Sequence, residues 1–118
     1  GLQFPQSEPG YYLNLKPLAG AIDGFQHIWN LPGIEVYILT APSVMNPHSY
    51  SEKRQWVERY LGLEVAYRLI LCPNKGLLLG DILIDDNLSG KGQEYFQGAV
   101  YHFGSERHPN WASMAREF

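Results

Sequence analysis

The apolar residues of one early segment recur at the spacing of a single helical face. They are Ala21, Ile22, Phe25, Ile28 and Trp29. Positions three and four apart lie on the same side of a helix, so this spacing predicts an amphipathic helix. The run Leu31-Pro32-Gly33 comes directly after it and predicts the helix end.

Four short apolar runs farther along the chain predict β-strands. They cover residues 34–40, 69–72, 82–84 and 99–103. Three of them lack the alternation of a half-exposed strand, which is typical of strands buried on both faces of a parallel sheet. Because such strands alternate here with helices, the pattern predicts an α/β fold with an open parallel sheet and flanking helices.

Two further helices and two loops complete the predicted elements. Ser51 is expected to cap a helix that runs to Leu61, with Gly62 directly after its end. Asn110 is expected to cap a last helix whose apolar face carries Trp111, Met114 and Phe118. Loops are expected at residues 41–49 and, as a flexible glycine-rich segment, at residues 89–92.

Composition and charge narrow the class of protein. With 118 residues, of which 45% are apolar and 14% aromatic, the chain is long enough for one folded domain. A net charge of −3 argues against a nucleic-acid polymer as partner. No apolar run is long enough to cross a bilayer, so no membrane partner is expected. The single cysteine, Cys72, excludes an internal disulfide and favours a reducing compartment such as the cytoplasm.

Polar side chains follow three of the predicted strands, at the point where each strand ends. Thr40 ends the first, Lys75 follows the second, and the pair Asp85-Asp86 follows the third. The carboxyl ends of parallel strands meet at one edge of a sheet, where open α/β folds bind their ligands. Mg²⁺ binds one or two carboxylates together with phosphate oxygens, and ammonium and hydroxyl groups suit a phosphoryl group. The conjunction predicts a metal-assisted phosphate site.

Each of these residues also has a purely structural interpretation. A threonine at a strand end is commonly half-buried, a lysine in a turn is commonly solvated, and an aspartate pair commonly caps a turn. Their conjunction at consecutive strand ends favours the functional interpretation. Lys53, close in sequence to the Thr40 loop, is a second candidate cation. Cys72 is expected in the core, and His48 on a surface loop.

Three segments resemble the haloacid-dehalogenase-type (HAD) phosphatases, and among them the 5′(3′)-deoxyribonucleotidases, also called 5′-nucleotidase type C. The segments are Ile38-Leu39-Thr40-Ala41-Pro42-Ser43, then Lys75, then Gly80-Asp81-Ile82-Leu83-Ile84-Asp85-Asp86. The Thr-Ala-Pro-Ser form and the terminal segment His102-Phe103-Gly104-Ser105-Glu106 are similar to bacterial or phage members. The resemblance extends from about residue 9 to the end of the chain.

The resemblance implies Mg²⁺-dependent hydrolysis of nucleoside monophosphates through an aspartyl-phosphate. It implies that Thr40 and Lys75 are catalytic residues, which donate to the transferring phosphoryl group and stabilise its charge. Lys53 matches a family lysine that approaches the phosphate. Ala41 occupies a phosphate-binding position where vertebrate members have a hydroxyl residue.

The pair Asp85-Asp86 matches the family's fourth motif, which implies a Mg²⁺ site with Asp86 as the direct ligand. The family's first motif, an Asp-x-Asp sequence whose first aspartate attacks phosphorus, has no match in this chain. The aspartates present are Asp23, Asp81, Asp85 and Asp86. The resemblance therefore leads us to expect an N-terminally truncated fragment that is inactive by itself.

In the family, the strand that carries the first motif is central. The expected fold is therefore a HAD-like Rossmannoid parallel sheet with flanking helices that lacks its first strand and most of its cap. Residues 1–10 are expected as a tail or as the end of the missing cap region, and residues 11–118 as a partial core domain. Unpaired sheet edges attract further strands, so a homo-oligomer or a complementing chain is expected to supply the missing strand.

Two non-enzymatic interpretations compete with this one. A response-regulator receiver domain has a similar length, an α/β fold, an acidic pair, a threonine and a lysine. Its acidic pair comes first in the chain, whereas the order here is Thr40, Lys75 and then Asp85-Asp86. A paralogue that binds phosphate without hydrolysing an ester is the other alternative, because the nucleophile is not in this sequence.

Overall fold

The computed structural model describes residues 10–118, which form four α-helices and four strands. The helices are α1 (Ala21–Trp29), α2 (His48–Leu61), α3 (Leu63–Ala66) and α4 (Trp111–Ala115). The strands are β1 (Ile38–Thr40), β2 (Leu69–Leu71), β3 (Ile82–Asp85) and β4 (Ala99–His102). The described residues divide into two compact units, residues 10–16 with 37–73, and residues 17–36 with 74–118. The expected tail at residues 1–10 lies outside the described residues, apart from Gly10.

The first unit contains β1 and β2, which pair in parallel with Ile38 opposite Leu69. Strand β1 is shorter than the predicted run of residues 34–40. Its partner limits it, because α3 ends at Ala66 and β2 offers only three residues for pairing. The strand nevertheless ends at Thr40, where the sequence predicted its end.

Helix α2 of this unit begins at His48, so the prediction of a cap at Ser51 was wrong. The side-chain Oδ1 of buried Asn46 accepts a hydrogen bond from the His48 N–H at 3.0 Å. Pro47 has a helical φ of −62°, and a proline is well suited to the start of a helix. The helix therefore begins inside the loop predicted at residues 41–49. Its end at Gly62, with φ of 100°, is as predicted.

The second unit contains β3 and β4, which pair in parallel with Asp85 opposite His102. Helix α1 has the predicted bounds and packs against α4. At this contact Gly24 approaches Trp111 so closely that a Cβ on the glycine would lie 3.2 Å from the tryptophan Cβ. The buried apolar residues of this unit are Ile28, Leu83, Met114 and Ala115.

Helix α4 starts at the predicted cap. The Asn110 side chain accepts from the Ser113 N–H at 2.9 Å, and the Ser113 hydroxyl accepts from the Asn110 N–H at 3.2 Å. This reciprocal capping box satisfies two backbone donors at the helix start. The helix ends at Ala115, earlier than predicted, and the Phe118 ring contacts Tyr101 with 5.7 Å between ring centroids.

Parallel pairing and alternation with helices confirm the α/β class. Residues 10–118 form two separate two-stranded sheets, whereas the sequence predicted one open sheet. Strands β1 and β2 are half-buried along their length rather than buried on both faces, because a strand pair leaves each strand with one unpaired edge. Two 3₁₀ helices, Lys75–Leu77 and Gln93–Tyr95, were not predicted, since three residues leave no periodic pattern.

The helices of the described residues are short compared with a membrane span. Helix α2, with 14 residues, is the longest in the described part of the chain. None of the helices within residues 10–118 is long and apolar enough to cross a membrane.

Candidate functional site

The end of β1 in the first unit carries a hydroxyl and an ammonium group in direct contact. Lys53 extends from α2, and its Nζ lies 2.5 Å from the Thr40 Oγ1. The same Nζ donates to the main-chain carbonyl of Ala41 at 3.1 Å. Three of the predicted phosphate-binding residues are thus brought together. The ammonium and the hydroxyl can both donate to an anion, as a phosphoryl group requires.

Tyr12 also belongs to this group and was not predicted from the sequence. The Lys53 Nζ lies 4.7 Å from the centroid of the Tyr12 ring, which is a cation–π distance. Burial raises the pKa of the Tyr12 hydroxyl, although a hydrogen bond with Ser43 opposes this shift. Tyr12 lies in a turn at residues 10–14, without strand or helix periodicity, so only the tertiary contact reveals it.

The end of β3 in the second unit carries a tight ion pair. The Lys75 Nζ lies 2.5 Å from Oδ2 of Asp85, and the two side chains are only 13% and 3% exposed. The other oxygen, Oδ1, accepts from the Asn87 N–H at 3.0 Å. Burial opposes ionisation of Asp85, but the Lys75 ammonium and the Asn87 N–H outweigh it, so the pKa of this carboxyl lies below its ordinary value.

The neighbouring carboxylate of Asp86 has the opposite environment. It is exposed, and its Oδ1 accepts from the Asn87 side-chain amide at 3.2 Å. Its main-chain carbonyl lies 3.0 Å from Nε2 of His102, on β4. Of the predicted acidic pair, Asp85 is therefore already satisfied by the protein, and Asp86 is accessible from solvent.

This donor set fits Mg²⁺. The ion commonly takes one or two carboxylates and completes its octahedron with waters and substrate phosphate oxygens. Within residues 10–118 no group of three or more His, Cys, Asp or Glu residues could hold a metal. A Mg²⁺ ion at Asp86 would therefore depend on water and phosphate oxygens for most of its ligands, which suits a metal that acts on a phosphate substrate.

The structure places the predicted residues in two groups, one in each unit. Thr40, Ala41 and Lys53 form the first, and Lys75, Asp85 and Asp86 form the second. Cys72 is half-buried after β2, so the prediction that it lies in the core was wrong. His48 is exposed as predicted, but it lies at the start of α2 rather than in a loop.

Comparison with known proteins finds a matching family model and several similar sequences. The family model for 5′ nucleotidase, deoxy (pyrimidine), cytosolic type C protein matches residues 2–115. The human cytosolic-type 5′(3′)-deoxyribonucleotidase is 42% identical over 86 residues, which are 73% of this chain and 43% of the human protein. A protein of Vibrio phage KVP40, named provisionally as a 5′(3′)-deoxyribonucleotidase, is 41% identical over 106 residues, which are 90% of this chain and 61% of the phage protein.

A bacterial relative completes the comparison. A Bordetella bronchiseptica protein with the same provisional name is 38% identical over 95 residues, which are 79% of this chain and 50% of that protein. The chain thus spans about half the length of the curated relatives it matches.

Proposed function

Because the chain belongs to the 5′ nucleotidase, deoxy (pyrimidine), cytosolic type C family, we propose that it is part of a phosphatase that hydrolyses deoxyribonucleoside monophosphates. The names of the human and phage relatives support this activity and substrate class. The family match also favours a nucleotidase over a receiver domain.

The contrast between Asp85 and Asp86 is the observation that carries the proposal. One carboxylate is buried and ion-paired with Lys75, and the next one along the chain is exposed. The ion pair keeps Asp85 charged and holds the Lys75 ammonium in place, while Asp86 remains accessible to a metal ion. A turn-capping pair has no need of a buried lysine, so the arrangement supports a site for phosphoryl transfer.

We assign Asp86 as the direct ligand of Mg²⁺, with Asp85 beside it. When bound, Mg²⁺ would neutralise charge on the phosphate oxygens. Lys75 would stabilise the negative charge of the transferring phosphoryl group, and its pairing with Asp85 fixes where that charge can act. The structural support for these roles is the 2.5 Å contact between Lys75 and Asp85 together with the exposure of Asp86.

Thr40 and Lys53 are proposed to bind the phosphoryl group as donors. Their mutual contact at 2.5 Å supports a preformed pair of donors, because neither has to be ordered when the anion arrives. The Ala41 carbonyl orients the Lys53 ammonium rather than contacting phosphate itself, since a carbonyl oxygen cannot donate to an anion.

The nucleophile is proposed to come from a segment outside these 118 residues. By the family resemblance, a carboxylate oxygen of the first aspartate of an Asp-x-Asp segment attacks phosphorus, and the bond to the nucleoside oxygen breaks as the second aspartate protonates that oxygen. Water then hydrolyses the aspartyl-phosphate, which releases inorganic phosphate and restores the carboxylate. The sequence has no Asp-x-Asp, and by the family resemblance this motif ends a strand. A second copy or a complementing chain is the proposed source of that strand.

A turnover assay tests this assignment. The purified 118-residue chain is incubated with dUMP and Mg²⁺, and released inorganic phosphate is measured beside phosphate binding by NMR titration. We expect binding that depends on Asp86 and no turnover. Binding that persists in Asp86→Asn would contradict the metal assignment. Robust turnover that is lost in Asp86→Ala would show that the nucleophile lies within these residues.

We further propose that the protein acts in the cytoplasm on a nucleoside monophosphate, without a nucleic-acid polymer or a membrane as partner. The cytosolic type of the human relative and the net charge of −3 support this proposal.

A further inference from the structure

The backbone of Lys75 is bonded to the loop that follows β3. The Lys75 N–H donates to the Lys91 carbonyl at 2.7 Å. The Lys91 N–H in turn donates to the side-chain Oε1 of Gln93 at 2.7 Å. Gln93 is 1% exposed, so this side chain is fixed by packing as well as by its hydrogen bond. A continuous series of contacts therefore runs from Gln93 through Lys91 and Lys75 to Asp85.

Two glycines allow the two loops to approach each other this closely. A Cβ on Gly92 would lie 1.9 Å from Oδ1 of Asn74, and the same Oδ1 accepts from the Gly76 N–H at 3.0 Å. A Cβ on Gly76 would lie 2.8 Å from the Gly92 carbonyl oxygen. Gly92 also has a φ of 85°, which side-chain-bearing residues rarely adopt. The segment that the sequence predicted as a flexible glycine-rich loop is thus bonded to the backbone of Lys75.

We propose that Gln93 is a positioning residue for the Lys75 ammonium, an inference that rests on the proposed function of Lys75. A lysine side chain is a flexible four-carbon stem, so a fixed backbone removes one source of freedom in the position of its ammonium. Gln93 holds the Lys91 backbone, and Lys91 holds that of Lys75. These two bonds hold the backbone position from which the Lys75 side chain reaches the Asp85 carboxylate.

The experiment follows Lys75 itself by NMR in the 118-residue chain. Gln93→Met preserves the size of the side chain and removes the acceptor, whereas Gln93→Glu keeps an oxygen at that position. We expect amide hydrogen exchange at Lys91 to accelerate about tenfold in Gln93→Met, the effect of losing the hydrogen bond to Gln93, and much less in Gln93→Glu. Exchange at Lys75, whose N–H donates to the Lys91 carbonyl, should accelerate to a smaller extent. The Nζ resonance of Lys75, sensitive to its ion pair, should shift in Gln93→Met alone. The amides of Leu83 and Tyr101 report whether β3 and β4 remain intact.

A matched glycine pair provides a second test that does not depend on Gln93. Gly92 and Gly90 both have positive φ, but nothing lies within 4 Å of a Cβ on Gly90. Gly92→Ala is expected to shift the Lys75 Nζ resonance, and Gly90→Ala to leave it unchanged. Equal effects of the two substitutions, or a Lys75 signal unaffected by Gln93→Met, would overturn the proposal.

The same samples separate this inference from the proposed function. One outcome is that the Lys75 resonance shifts in Gln93→Met while inorganic phosphate binds neither the parent chain nor the variant. This result would support the positioning role of Gln93 and contradict the proposed phosphate site. If phosphate binds the parent chain and Gln93→Met equally well, with Lys75 unshifted, the phosphate site is supported and the positioning role is wrong.

Discussion

The Lys75 ammonium lies 2.5 Å from the Asp85 carboxylate, and both side chains are almost fully withdrawn from solvent. The adjacent carboxylate, that of Asp86, is exposed. Two identical side chains at consecutive positions thus have different partners, and their contributions to stability should differ accordingly.

Asp85→Ala is expected to destabilise the chain by about 3 kcal/mol, because it leaves the Lys75 ammonium buried without its counter-charge. Asp86→Ala is the matched control. It removes an exposed carboxylate from the next residue and should change the free energy of unfolding by less than about 0.5 kcal/mol. Urea unfolding of the three proteins measures both values. Equal losses in the two variants would show that the ion pair does not stabilise the fold.

Lys53→Met should weaken the binding of inorganic phosphate by about tenfold or more, the effect of removing a charged donor. The neighbouring Arg54 pairs with Glu58 on the exposed face of α2 at 3.4 Å, so Arg54→Met removes the same charge without changing the Thr40 contact. NMR titration of both variants with phosphate compares them. If they weaken binding equally, the effect is one of net charge, and Lys53 has no specific role.

Gly24→Val should destabilise the second unit by about 1–3 kcal/mol, because its side chain would be forced into Trp111. His27→Val introduces the same side chain at an exposed position of the same helix and should have a smaller effect. Thermal unfolding, followed by tryptophan fluorescence, measures the difference. A Gly24 variant as stable as the His27 variant would mean that α1 and α4 can separate without loss.

The Glu117 carboxylate links the end of the chain to the segment before α4. It accepts from Nε2 of His108 at 2.9 Å and from Nε of Arg107 at 3.0 Å, and these contacts lower the pKa of Glu117 below its ordinary value. A carboxyl with a lowered pKa stabilises the folded state above its unfolded pKa, and this contribution is lost as the pH falls through the folded pKa.

Glu117→Gln should therefore lower the unfolding temperature at pH 7, and the difference from the parent chain should shrink well below pH 4. Glu106→Gln serves as the control, because Glu106 is an exposed residue of the same segment and its loss of charge should have little effect at either pH. A difference for Glu117→Gln that stays constant from pH 7 to pH 3 would contradict a role for the ionised carboxylate.

Much of the local structure could be predicted from the sequence. Helix α1, the end of β1 at Thr40 and the Asn110 cap depend on residues only a few positions apart, so periodicity and capping chemistry were sufficient. Local signals misled at the start of α2, where Ser51 was predicted as the cap but the helix begins at His48, whose N–H donates to the buried Asn46 side chain. The start of this helix depends on the burial of Asn46, which cannot be read from the sequence.

The sequence by itself determined the α/β class, the family, and the residue types that follow the strands. The tertiary structure decided which side chains are in contact. Lys53 lies over the Tyr12 ring, and Lys75 pairs with Asp85 rather than with Asp86. Gln93 is hydrogen-bonded to the Lys91 backbone, which in turn binds the Lys75 backbone. The physical reason is that short-range patterns set backbone conformation. The partner of a charged or polar group is set by burial, which brings together segments that are distant along the chain.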